Sequence, residues 1–212
     1  MIRVFIILLI QLLAVAAFGQ SSIRFQVNNT SESNEYTIDV LRFYISAVTF
    51  SYSDGASTSD FEYYLVDLED SSSFTLPLPG VDPSGYKYIS FTVGTDSLIN
   101  VSGIMEGDLD PINGMYWAWN SGYINFKMEG TKKKDDLEHH FEYHLGGYLP
   151  PYETARTLTL PLDNWNGQLV IDFDLSGFLD GLDMTEQNEV LIPGKEASML
   201  SDQLASKFKI HE

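Results

Sequence analysis

The sequence contains no cysteine and few cations: 12 lysines and arginines stand against 30 aspartates and glutamates, a formal net charge of −18 at pH 7. Without cysteine there are no disulfides and no thiolate metal ligands, so stability has to come from a hydrophobic core. The acidic excess excludes the positive footprint that nucleic acid requires, and it disfavours an anionic membrane surface. Cations and basic proteins remain as partners, and solubility alone accounts for such a surface equally well. Histidine is also scarce, with four residues in the chain. No GxSxG elbow, HExxH helix, phosphate loop or dinucleotide fingerprint occurs. The alternating Glu106, Asp108 and Asp110 do not make an EF-hand loop. Counted from Glu106, the sixth and twelfth positions hold Pro111 and Trp117 instead of Gly and Glu. A carboxylate pair for glycan hydrolysis stays open as a class, with no motif behind it.

What is present begins with MIRVFIILLIQLLAVAAFGQ. Arg3, the apolar run from Val4 to Leu13 and the small residues ending at Gly19-Gln20 predict a secretory signal peptide over residues 1–20. No cysteine follows it, so no lipid anchor is expected. Residues 21–212 are then one exported domain, periplasmic or extracellular, without an integral membrane span. Asn28-Asn29-Thr30 has the pattern of an N-glycosylation sequon.

The domain reads as strands. Ser22 to Val27 alternates cleanly. Tyr36 to Phe50 is long and rich in β formers, yet neither parity is purely apolar. This predicts a bulge or bend near Arg42 and a partly buried ion pair for that residue. Further runs lie at Phe61 to Leu68, Ser71 to Leu76, Tyr86 to Val93, Tyr123 to Met128 and Leu137 to Leu145. Arg156 to Leu162 and Gln168 to Leu175 predict an antiparallel pair around the Asn164-Trp165-Asn166-Gly167 turn. Asp96 to Pro111 predicts a short helix and a loop. Met199, Leu200, Leu204 and Phe208 follow helical spacing and predict a helix over 196–208. The expected class is all-β: a single antiparallel β-sandwich, with a Greek-key path and a short C-terminal helix.

The chemistry concentrates in Asn113 to Gly130. Trp117 and Trp119 stand two apart, so a strand there places both indoles on one face, with Tyr116, Tyr123 and Phe126 around them. On the Leu137 to Leu145 strand, His140 and His144 share a face but lie about 13 Å apart, too far for one metal ion without a bend. His144 beside the tryptophans is either a copper ligand or a hydrogen-bonded member of an aromatic core. His211 is expected to be a disordered terminal residue.

Several segments together resemble one family: Leu41-Arg42-Phe43-Tyr44-Ile45-Ser46, Phe91 to Asp96, Leu109-Asp110-Pro111, Gly114-Met115-Tyr116-Trp117 with Trp119, Gly122-Tyr123-Ile124, Glu129-Gly130 and Tyr143-His144-Leu145-Gly146. The chain is similar in these to the MbnP-like proteins. These are periplasmic proteins linked to methanobactin-associated copper handling and common in Bacteroidetes. The resemblance implies an extracytoplasmic β-rich, copper-binding or copper-homeostasis protein without turnover of its own. It also implies a di-haem peroxidase-like partner that oxidises a tryptophan to kynurenine, which joins histidines around copper. Trp117 and Trp119 match the paired tryptophans and His144 matches the histidine of the His-Leu-Gly motif, with His140 in reserve. Many members carry a histidine after the opening strand, where this chain has Asn28 and Asn29. That departure favours a second reading, a metal-free extracytoplasmic binding or structural module.

Overall fold

The computed structural model describes residues 21–28, 36–82, 84–134, 137–163, 165, 167–182, 184 and 187–211. The expected signal peptide lies outside them, as does Asn29-Thr30 of the sequon. The strands begin with β1 (Ser21–Asn28), β2 (Tyr36–Ser51), β3 (Ser57–Asp67), β4 (Thr75–Leu78) and β5 (Tyr88–Val93). Helix α1 (Ser97–Ser102) and two 3₁₀ turns lead to β6 (Tyr116–Trp117), β7 (Gly122–Lys134), β8 (Leu137–Gly146) and β9 (Arg156–Pro161). Then come β10 (Gln168–Asp174), α2 (Leu175–Leu179), β11 (Glu189–Val190), α3 (Lys195–Ala205) and β12 (Phe208–Ile210).

These strands form two sheets, one ordered β12-β10-β1-β4 and the other β11-β8-β7-β2-β5-β9, with β3 added on β2 and β6 on β7. The all-β sandwich with a C-terminal helix is therefore what the chain builds. Two pairings differ from the antiparallel expectation, since β1 runs parallel to β10 and β11 parallel to β8. Side-chain alternation is the same in both kinds of ladder, so the sequence pattern does not separate them. The expected hairpin of β9 with β10 does not form either. β9 pairs with β5 in the larger sheet, while β10 lies in the smaller one. Between them Trp165 stacks on Phe50, ring centroids 4.5 Å apart and nearly coplanar at 4°.

Between the sheets lies a phenylalanine-rich core. Phe25, Phe43, Phe173 and Phe208 meet edge-on or stacked, with centroids from 4.6 to 6.3 Å apart. Such pairs contribute about 0.5–1.5 kcal/mol each beyond their buried area. Phe208, expected as the last helical residue, instead leaves α3 and enters β12, where it stacks on Phe173. Burial of that ring outweighs one more helical turn.

β2 is buried on both faces, which explains its mixed parity. Phe43 and Ile45 join the main core, while Tyr44 joins a second cluster with Ile99, Leu109, Met115, Trp117, Tyr123 and Ile124. The register of β2 shifts between Ile38 and Val40 against β7, and again past Ser46 where Ala47 takes φ 51°. The bends thus flank Arg42 on either side. Arg42 forms the expected ion pair: Nε donates to Asp67 at 2.8 Å, and a terminal nitrogen to Glu69 at 2.6 Å. Its other terminal nitrogen donates to the Asn113 carbonyl at 3.2 Å, which ties down the turn leading into Trp117.

Candidate functional site: the tryptophan pair and the His144 strand

The second cluster lies on the face of the larger sheet opposite the main core, and residues 96–117 roof it. Asp96 caps α1 by accepting from the Ile99 amide at 2.8 Å, and also accepts from the Tyr63 hydroxyl at 2.6 Å. The Tyr44 hydroxyl donates to the Asp108 carbonyl at 3.0 Å and the Tyr123 hydroxyl to the Gly103 carbonyl at 3.2 Å. Burial, with Tyr123 and Asp108 nearby, pushes the Tyr44 phenol well above its ordinary pKa, so it stays neutral as a donor. These bonds hold the roof on the sheet.

β6 is only two residues long, and Trp119 falls in the turn that follows it. The indoles remain neighbours, with centroids 5.5 Å apart and planes tilted by 43°. Their surroundings differ. Trp117 is 7% exposed within the cluster, whereas Trp119 is 64% exposed. Trp117 lies directly over Gly146 at the end of β8. A Cβ on Gly146 would stand 2.6 Å from that indole and 2.7 Å from the Tyr123 carbonyl oxygen, so only glycine fits beneath the ring.

His144 stands two residues before Gly146, hence on the same face of β8 as the ring of Trp117. Its Nε2 lies 2.8 Å from a Glu129 oxygen, which also takes the Lys127 ammonium at 3.1 Å. Burial lowers the His144 pKa, the Glu129 hydrogen bond opposes this, and the net shift is downward. Burial raises that of Glu129, but the bonds from His144 and Lys127 outweigh it, and the net shift is also downward. The pair is therefore a neutral imidazole against an ionised carboxylate. A neutral ring facing a carboxylate must donate, so Nε2 carries the proton and the lone pair sits on Nδ1. A histidine whose other ring nitrogen donates to a carboxylate is the usual arrangement of a metal ligand. Glu129 faces Glu142 across the ladder, so the imidazole leans away from Gly146 and Trp117.

The remaining histidines are dispersed. His140 is exposed opposite Thr131. It lies six residues from Gly146, about 20 Å along an extended strand. His139 is exposed opposite Lys132. His211 is ordered, contrary to expectation: its amide donates to the Val170 carbonyl, and Nδ1 lies 2.9 Å from Asp172. Asn28 sits in β1 of the other sheet and accepts from Gln26 at 3.2 Å. Among the described residues no group of three or more histidines and carboxylates is placed to hold a metal ion. His144 and His211 each set a ring nitrogen on a carboxylate, and of the two His144 is the more buried. The encoded residues therefore do not fit a copper ion, because unmodified indole nitrogen offers no lone pair. Sequence reasoning missed Glu129 and Lys127, although the alternation Phe126-Lys127-Met128-Glu129 already put them on one face.

The comparisons agree with this architecture. No curated protein matches the chain. The solved structure of MbnP from Methylosinus trichosporium superposes with a TM-score of 0.53 at 14% identity, covering 77% of this chain and 78% of that one. That likeness concerns the fold. A family model described as MbnP matches residues 10–193, most of the sequence, and the chain belongs to the MbnP family.

Proposed function

We propose that this chain is an exported, non-enzymatic copper-handling protein whose copper site is completed only after oxidation of Trp119. Family membership and the exposed Trp119 beside the enclosed Trp117 support the reading. The observation that carries it is the asymmetry of that pair, since Trp119 is open to another enzyme while Trp117 is enclosed. A di-haem peroxidase-like partner is the oxidant class implied. Two molecules of hydrogen peroxide each give one oxygen atom and leave as water, which cleaves the indole C2–C3 bond to N-formylkynurenine, and hydrolysis by one water releases C2 as formate. The resulting kynurenine presents an amine and a carbonyl. His144 through Nδ1 is the encoded ligand nearest in chemistry, with Glu129 orienting its ring. His140 takes part only if β8 bends.

A competing reading, a metal-free extracytoplasmic module, is favoured by the closed Lys127–Glu129–His144 cluster, whose lysine opposes a cation. Copper titration against a competing chelator, with protein from the native host, separates the two. His144→Ala should lose affinity while His211→Ala keeps it. Equal affinity in both variants would refute a role for His144, and no uptake at all would leave the metal-free module.

A further inference from the structure

Several apolar side chains stand exposed among the described residues. Leu98 and Val101, three apart on α1, are 72% and 66% exposed, and Leu149 in the loop after β8 is 65% exposed. Three-residue spacing puts the first two on one side of the helix. They are not scattered. Leu98, Val101 and Leu149 line a single groove of about 600 Å³. A second pocket of about 220 Å³ shares the 147–150 wall and extends it past Tyr152 and Pro193 to Asn120, the neighbour of Trp119. The two hollows have room for a few side chains in a row, not for a folded element.

The groove floor is fixed from behind. Asn125 accepts from the amide and hydroxyl of Thr95 at 2.9 and 3.0 Å and donates to Thr154 at 2.9 Å. Asn100 donates to Thr95 at 3.0 Å and accepts from the Tyr123 amide at 2.8 Å. Gly94, with φ 117°, admits Asn125 to 2.7 Å of where a Cβ would stand. This buried network joins α1, β7 and the 147–154 loop into one frame, so the apolar walls are preorganised and little ordering entropy is lost on docking. The rim charge is one-sided. Asp96 and Glu153 are the charged residues among the lining residues, and no cation is among them. Arg156 adjoins the groove, but its guanidinium is engaged by Asp202 at 2.6 Å and by the Ser198 and Glu153 carbonyls.

We propose that this groove docks an extended segment of another protein that carries basic residues between apolar ones. Leu98, Val101 and Leu149 receive its apolar side chains, Glu153 faces its cations, and Asp96, held by the Ile99 amide and the Tyr63 hydroxyl, adds negative charge at the rim. A second copy of this chain is opposed by the net charge of −18, which sets like charge against like at close range.

The test uses recombinant, metal-free protein, so its outcome is independent of the copper reading. The probe is a synthetic peptide of alternating lysine and leucine, followed by tryptophan emission and calorimetry at low salt. Oligolysine of equal charge and an alternating glutamate–leucine peptide serve as comparators. The lysine–leucine peptide should bind best and weaken as salt is raised. Leu98→Ser and Leu149→Ser should each weaken it about fivefold or more, as expected for apolar anchors. Glu153→Lys should weaken it as well. Both leucines are exposed, so circular dichroism should show both variants folded as the parent. Equal binding of oligolysine, equal binding of the glutamate–leucine peptide, or indifference to both leucine substitutions would overturn the proposal. So would self-association in sedimentation that Leu98→Ser abolishes.

Discussion

Gly146→Ala is the sharpest test of how the tryptophan cluster is built. The added Cβ would stand 2.6 and 2.8 Å from two atoms of the Trp117 ring and 2.7 Å from the Tyr123 carbonyl oxygen. Contacts below 3 Å require movement. The indole is buried in the cluster that holds Met115, Tyr123 and Ile124, and the carbonyl belongs to the β7 backbone, so neither yields freely. Overpacking of this kind costs about 1–3 kcal/mol. A domain of this size loses about 2–4 °C in Tm per kcal/mol, so the melting temperature should fall by several degrees. A double-mutant cycle with Trp117→Leu isolates the cause. Removing the ring leaves the carbonyl clash, so the cost of Gly146→Ala should shrink without vanishing. Thermal denaturation of the four proteins supplies the cycle. An unchanged Tm for Gly146→Ala, or an equal cost in both backgrounds, would show that the indole does not rest on that glycine.

Three further outcomes follow, two from other parts of the fold and one from the sequence. His144 has a lowered pKa when folded, so the unfolded chain takes up its proton first. The stabilisation is complete above about pH 6.5 and is lost as pH falls from there through the folded value. His144→Gln should flatten the Tm profile below pH 6.5, and a profile identical to the parent would contradict a neutral His144. Arg42→Met removes the ion pair and leaves the half-buried Asp67 without its guanidinium, at a cost of about 1.5–3 kcal/mol measured by urea denaturation. A loss within experimental error would mean that the pair merely decorates the surface. N-terminal sequencing of the exported protein should begin near Gln20 or Ser21, and retention of Met1 would reject the signal peptide.

Strand existence was legible because period-two alternation is a local property, and β1, β5 and β10 lie where alternation is clean. Strand partners were not. Nothing local in Arg156–Pro161 distinguishes pairing with β10, its neighbour in sequence, from pairing with β5, its partner in space. The mixed parity of β2 did carry information. A strand with apolar residues on both faces is a strand covered on both, and that is how Tyr44 comes to face the tryptophans while Phe43 faces the core. Arg42 was readable as a buried cation, but Asp67 emerged only from the β2–β3 register. The site was half legible in the same way. Trp117 and Trp119 announced an aromatic cluster, yet their division into an enclosed and an open ring depends on β6 ending after two residues. Glu129 became visible as the partner of His144 only once β7 and β8 were aligned.

Whether copper binding waits on oxidation of Trp119 is decided by comparing native-host and recombinant protein. Intact mass, peptide mapping and copper titration would be run on both. Native protein should carry a change of one carbon lost and one oxygen gained, mapped to Trp119, and bind copper tightly. Recombinant protein lacks the change and binds weakly. Tight and equal binding by unmodified recombinant protein, or a modification mapped to Trp117 with Trp119 intact, would contradict it.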